Sequence, residues 1–139
     1  MKTAKELYQD VVLDHGKAPR NEGPLEGATH EATAKNPLCG DRITLRLEVD
    51  ADGISVARFE ARGCMIARAS ASLLTEAVRG RSAAEARDLA AAVAAFVEPG
   101  GADRALPAAL EALSGAREFP ARRACVLLPW KALTTALDG

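Results

Sequence analysis

Three cysteines and one aspartate carry most of the chemistry open to this sequence. Cys39 and Asp41 flank a glycine in K-N-P-L-C-G-D, Cys64 follows a glycine in R-G-C-M-I-A-R-A-S, and Cys125 follows two arginines in F-P-A-R-R-A-C. In an extended turn residues i and i+2 project to one side, so Cys39 and Asp41 can form a two-atom clamp while Gly40 permits torsions other residues avoid. Pro37 stiffens the approach and biases Asn36 toward an extended backbone. Cys64 falls between an expected strand and an expected helix, where free amides and the helix dipole favour a thiolate. The charges of Arg122 and Arg123 would favour the same form of Cys125 if they lay beside it. Three thiolates and one carboxylate make a four-ligand set suited to zinc or to an iron–sulfur centre. A lone buried cysteine is more often a small apolar filler than a ligand, and the sequence has no C-x-x-C pair. Spacing alone therefore leaves both readings open.

Other chemistries have weaker footing. Ser70 and Ser72 read as helix residues, and His15 and His30 are remote in sequence from the serines, which leaves a hydrolase triad little support. The two histidines read equally well as surface residues or as ligands. With 18 basic and 19 acidic residues and a formal charge of −1, the chain lacks the electrostatic footprint of a nucleic-acid binder. The opening M-K-T-A-K-E-L-Y-Q-D is charged where a signal peptide is apolar, and no run approaches the ~20 apolar residues of a membrane span. A cytoplasmic protein with reduced thiols is expected, since an odd number of cysteines argues against a disulfide framework.

The elements that must position these residues are legible in the pattern of apolar positions. Thr3 and Glu6 form a capping box for a helix carrying Leu7, Tyr8, Val11 and Val12, with a stop at Gly16. A Pro- and Gly-rich loop then leads to a weak strand in A-T-H-E-A-T-A-K. Ile43, Leu45, Leu47 and Val49 alternate with Thr44, Arg46 and Glu48, the period of a half-buried strand. Asp50-Ala51-Asp52-Gly53 turns the chain into a second strand over Ile54 to Ala61, whose apolar phase slips and predicts a bulge or two-sided burial near Arg58. Ile66, Ala69, Leu73, Leu74, Ala77 and Val78 repeat at helical spacing up to Gly80. Ser82 and Glu85 cap another helix that ends before E-P-G-G, followed by helical segments from about Ala105 to Leu113 and up to Leu137. With 139 residues, 48% of them apolar and 4% aromatic, the chain fits one domain filled by aliphatic side chains. The expected fold is α+β: a small antiparallel sheet of about three strands from the N-terminal half, packed against mostly C-terminal helices.

N-P-L-C-G-D, R-G-C-M-I-A-R-A-S-A-S and F-P-A-R-R-A-C resemble, in order and spacing, the three cysteine segments of iron–sulfur assembly proteins of the IscU/NifU type. L-Y-Q-D-V-V-L-D-H-G-K-A-P-R-N is similar to that family's opening helix and loop. The segment from about Arg81 to Gly101 resembles an inter-helix insertion of the SufU branch, and Arg122, three residues before Cys125, matches that branch. Ala124 stands where the scaffold branch usually has histidine. The resemblance implies zinc on Cys39, Asp41, Cys64 and Cys125, with iron or a 2Fe–2S cluster as the alternative. It further implies Cys39 as the acceptor of sulfur from a cysteine desulfurase, and downstream assembly proteins or apoproteins as recipients. On these terms the chain is a carrier or a scaffold, with Gly40, Arg122 and Arg123 supporting the site. Two positions depart from the family: Ala67 replaces a common serine, and Pro129 interrupts the last helix. Either that helix begins near Pro129, where the missing N–H does not matter, or it is kinked beside Cys125; the first arrangement is cheaper.

Overall fold

Strand β2 (Asp41–Asp50) lies between β1 (His30–Asn36) and β3 (Gly53–Arg62) in a three-stranded antiparallel sheet. The structure is a computed structural model and describes residues 3–37, 40–99 and 106–138. Alternation decides which face is covered: Ile43, Leu45 and Leu47 are fully buried, while Thr44, Arg46 and Glu48 between them are only partly covered. The predicted phase slip in β3 is real but lies elsewhere. Glu48 pairs with Val56 and Val49 with Ile54, so Ser55 is the extra residue of a bulge beside the turn. Its hydroxyl donates to the Glu48 carbonyl at 3.1 Å. Ile54 thereby joins Ala57 and Phe59 on the core face, and pairing past Arg58 is regular.

Helices α2 (Met65–Val78) and α5 (Pro120–Asp138) cover that core face, with α1 (Ala4–Lys17) packed on α2 and α3 (Ala83–Phe96) on α5. Thr3 caps α1, which runs one residue past the expected stop at Gly16. Ser82 and Glu85 form the full capping box of α3, and Gly80, at φ +83°, follows α2. The expected segment from Ala105 is shorter at its start: α4 spans Ala108–Glu111 after Pro107 and passes into a 3₁₀ turn over Ala112–Ala116. Ala105 itself lies outside the described residues.

Pro129 sits inside α5, which is continuous from Pro120 to Asp138. Of the two arrangements left open, the cheaper one, a start near Pro129, is not adopted. Pro120 occupies the start instead, where a missing donor is harmless. An interior proline costs about 3 kcal/mol, yet each fully buried large apolar side chain returns about 1.5–3 kcal/mol. Val126, Leu128, Trp130, Leu133 and Leu137 are buried on both sides of it. Packing outweighs propensity here.

Polar bonds fasten the helices to one another. Ser70 of α2 donates to the Val126 carbonyl at 2.6 Å and accepts from the Trp130 indole at 3.1 Å, joining α2 to α5. Ser72 meets His15 Nδ1 at 2.8 Å and accepts from the Arg20 amide at 2.8 Å. Both serines are helix residues, as expected, but His15 is buried and belongs to neither a surface nor a ligand group. After α1, Asn21 and Gly23 bond the Phe59 backbone of β3.

Ser72→Ala should lower stability by about 1–3 kcal/mol, since it strands the buried His15 ring and the half-buried Arg20 amide; denaturant unfolding measures this. Burial pushes the His15 imidazole below its ordinary value of 6.5, so the fold favours the neutral ring. Its contribution is complete above pH 6.5 and declines as pH falls through the lowered folded value. His15→Asn should flatten that acid-side loss relative to wild type in unfolding curves taken across this range.

Candidate metal centre

The site is built around a carboxylate that the fold has removed from water. Asp41 opens β2 and is 2% exposed. Its Oδ1 accepts from the Cys64 amide at 2.9 Å, and its Oδ2 accepts from the Cys64 thiol at 3.2 Å and the Cys125 thiol at 3.4 Å. One carboxylate therefore joins the start of β2, the N-terminus of α2 and the first half of α5. The ligand atoms of Asp41, Cys64 and Cys125 all lie within 4.8 Å of one another.

Gly63 makes this approach possible, and its role is not apparent from composition or spacing. It adopts φ +117°, and a Cβ on it would lie 1.9 Å from Asp41 Oδ1 and 2.7 Å from Cγ. Any side chain would evict the carboxylate. Cys64 then caps α2, its sulfur accepting from the Ala67 amide at 3.4 Å. Across the site, the Ser70 link to Val126 and Trp130 holds α2 and α5 together one residue beyond Cys125.

The helix terminus does not leave Cys64 with a low pKa. Burial pushes its thiol up, and Asp41 adds to that; the pull of the Ala67 amide and of Cys125 is not enough to reverse it. Cys125 is raised further, first by burial and then by Cys64 and Asp41. The expected help from the two arginines is absent from that balance. The Arg122 guanidinium stacks over Phe119 at 4.4 Å, and Arg123 donates to the Arg117 carbonyl at 2.5 Å. Arg122 instead lines a cleft of about 330 Å³ with Tyr8, Gln9, Val12, Leu13 and Ile66. Gly40 has φ +75° with open space where a Cβ would be, and its amide donates to the Asn36 carbonyl at 2.8 Å. Cys39 lies outside the described residues.

Two thiols and a carboxylate crowded on one point, with both thiols pushed toward the protonated form by burial first and by the carboxylate as well, are a donor set that a cation would relieve. Zinc bonds of about 2.3 Å to sulfur and 2.0–2.2 Å to oxygen place tetrahedral ligand atoms roughly 3.5–3.8 Å apart. The three side chains fit such an ion.

A buried Cys-Asp-Cys cluster between a three-stranded sheet and the N-terminus of a helix defines the class. Residues 7–126 match the family described as the NifU-like N terminal domain, and the chain belongs to that family. It is 39% identical over 128 residues to the zinc-dependent sulfurtransferase SufU of Bacillus subtilis, covering 91% of this chain and 86% of the relative. It is 40% identical over 133 residues to the iron-sulfur cluster assembly scaffold protein IscU of Streptococcus pyogenes, covering 94% and 82%. Among solved structures, a putative iron-sulfur cluster assembly scaffold protein for the SUF system from Fervidobacterium islandicum superposes with a TM-score of 0.87 at 30% identity, over 94% of this chain and 96% of the other.

Gly63→Ala should displace Asp41 and leave the purified protein with well under one zinc per chain by elemental analysis, alongside strain of about 1–3 kcal/mol. Zinc retained at the wild-type level would show that the placement of Asp41 does not depend on this glycine.

Proposed function

We propose that the chain is an iron–sulfur cluster assembly protein that binds zinc and accepts sulfur from a cysteine desulfurase. The carrying observation is the convergence of Asp41, Cys64 and Cys125 on one point, with a fourth candidate ligand, Cys39, two residues from Asp41 in sequence. The name of the Bacillus subtilis relative, a zinc-dependent sulfurtransferase, supports zinc over other cations. Cys39, Asp41, Cys64 and Cys125 would be the ligands. A bound zinc ion would hold the thiols as thiolates at neutral pH.

In the transfer step the Cys39 thiolate attacks the outer sulfur of the donor's persulfide. A Cys39 persulfide forms and the donor's cysteine leaves as a thiolate, with no net oxidation. Gly40, beside Cys39 in sequence, has a left-handed torsion, Asp41 is the oxygen donor in the set, and Arg122 and Arg123 support the helix that carries Cys125. Residues 81–101, which contain α3, are read as the insertion of the SufU branch within a single domain. Reduced thiols suit a cytosolic setting. Among the described residues no helix is long and apolar enough to cross a membrane.

The same residues could build a 2Fe–2S cluster for delivery to apoproteins, a reading favoured by the name of the Streptococcus pyogenes relative, an assembly scaffold. An aspartate among the usual thiolates would make that cluster labile.

Freshly purified protein should contain one zinc per chain and accelerate a cysteine desulfurase. Cys39→Ser should abolish persulfide transfer measured by labelled-sulfur assay, and chelation of zinc should remove the acceleration. Iron with acid-labile sulfide in place of zinc would favour the scaffold. In that case Asp41→Ala should trap a longer-lived visible chromophore after anaerobic reconstitution. Zinc without any acceleration would leave only a structural metal module.

A further inference from the structure

The solvent face of the sheet follows two different charge rules along its length. Midway, Arg46 lies between Glu31 and Glu60 and pairs with both, and Thr33 meets Thr44 at 2.9 Å. At the end nearest the cysteine site the register sets Lys35 opposite Arg42, and Arg42 opposite Arg62. All three are exposed, and among the described residues none has an acidic partner. The acid closest along β3, Glu60, is engaged by Arg46. Like charges directly opposite on a sheet are destabilising, so an ordinary solvated face would alternate here as it does midway.

The row adjoins the site in sequence and in space. Arg42 follows Asp41, Arg62 precedes Gly63 and Cys64, and Lys35 stands four residues before Cys39 in sequence. Because neighbouring residues in a strand project to opposite faces, Arg42 is on the open side while Asp41 is buried on the other. The cations can therefore hold a partner at the site's rim without entering it. Strands about 4.8 Å apart spread the row over about 10 Å, too wide for one phosphate to span. Carboxylates on successive turns of a helix, about 5.4 Å apart, match that spacing. The depression beside the row, about 350 Å³, is lined by Arg42, Thr44, Glu60, Ala61 and Arg62. A chain of net charge −1 has no general attraction for nucleic acid, so the local charge suits an acidic protein segment.

We propose that Lys35, Arg42 and Arg62 form a docking row for an acidic segment of the sulfur-donating enzyme, holding its persulfide cysteine beside the site; this rests on the acceptor reading above. The test compares wild type with the triple variants Lys35→Gln/Arg42→Gln/Arg62→Gln and Lys35→Glu/Arg42→Glu/Arg62→Glu as activators of a cysteine desulfurase. The concentration giving half-maximal acceleration should rise on the order of tenfold for the glutamine variant and further for the glutamate variant, and its dependence on salt should flatten. Zinc content and melting temperature of the glutamine variant should match or exceed wild type, because like-charge repulsion is removed. An unchanged half-maximal concentration overturns the proposal, as does loss of zinc with a lower melting temperature, which marks a structural row. Inorganic phosphate weakening the wild type more than chloride at equal ionic strength would mark a small-anion site and also overturns it. If wild type accelerates nothing, the acceptor reading fails with it.

Discussion

A single buried carboxylate organises this molecule. Asp41 accepts from the Cys64 amide and from thiols that lie 23 and 84 residues further along the chain. A carboxylate removed from water is tolerated only when its oxygens are occupied, and here the occupants belong to two helices. The sheet, the N-terminus of α2 and the first half of α5 thus share one polar contact. Its placement depends on an empty Cβ position at Gly63. The apolar core beneath supplies most of the favourable free energy, but this contact sets how the three elements meet.

The raised pKa of both thiols follows from the same arrangement. Burial and the carboxylate disfavour a second and third negative charge, which is the ordinary cost of assembling an anionic donor set before its cation arrives. A site designed only for packing would place apolar atoms there. The polar links of Ser70 and Ser72 bracket it from behind, fixing α2 to α5 on one side and to α1 on the other, so the sulfur positions are inherited from a rigid frame.

Much of this frame was readable in the sequence because it is local. The alternation of Ile43, Leu45 and Leu47, the caps at Thr3 and Ser82, and Gly80 beyond α2 are short-range signals with short-range causes. What escaped was long-range. His15 meets Ser72 across 57 residues, and Gly63 acts through its distance to a side chain in another strand. Arg122 and Arg123 sit next to Cys125 in sequence but direct their charge to Phe119 and Arg117. The bulge moved to Ser55 because the ladder's register, set by two strands together, decides where the extra residue falls. The choice between the two arrangements at Pro129 stayed open because propensity speaks for one residue and packing for the whole helix.

Pro129 also has a mechanical side. Its nitrogen has no hydrogen to give the carbonyl of Cys125, four residues earlier, so the turn that bears this sulfur lacks one rung of about 1 kcal/mol. The rest of α5 is clamped by buried side chains above and below. Compliance is therefore concentrated in the one turn that bears the Cys125 sulfur, while the helix as a whole stays seated on the sheet.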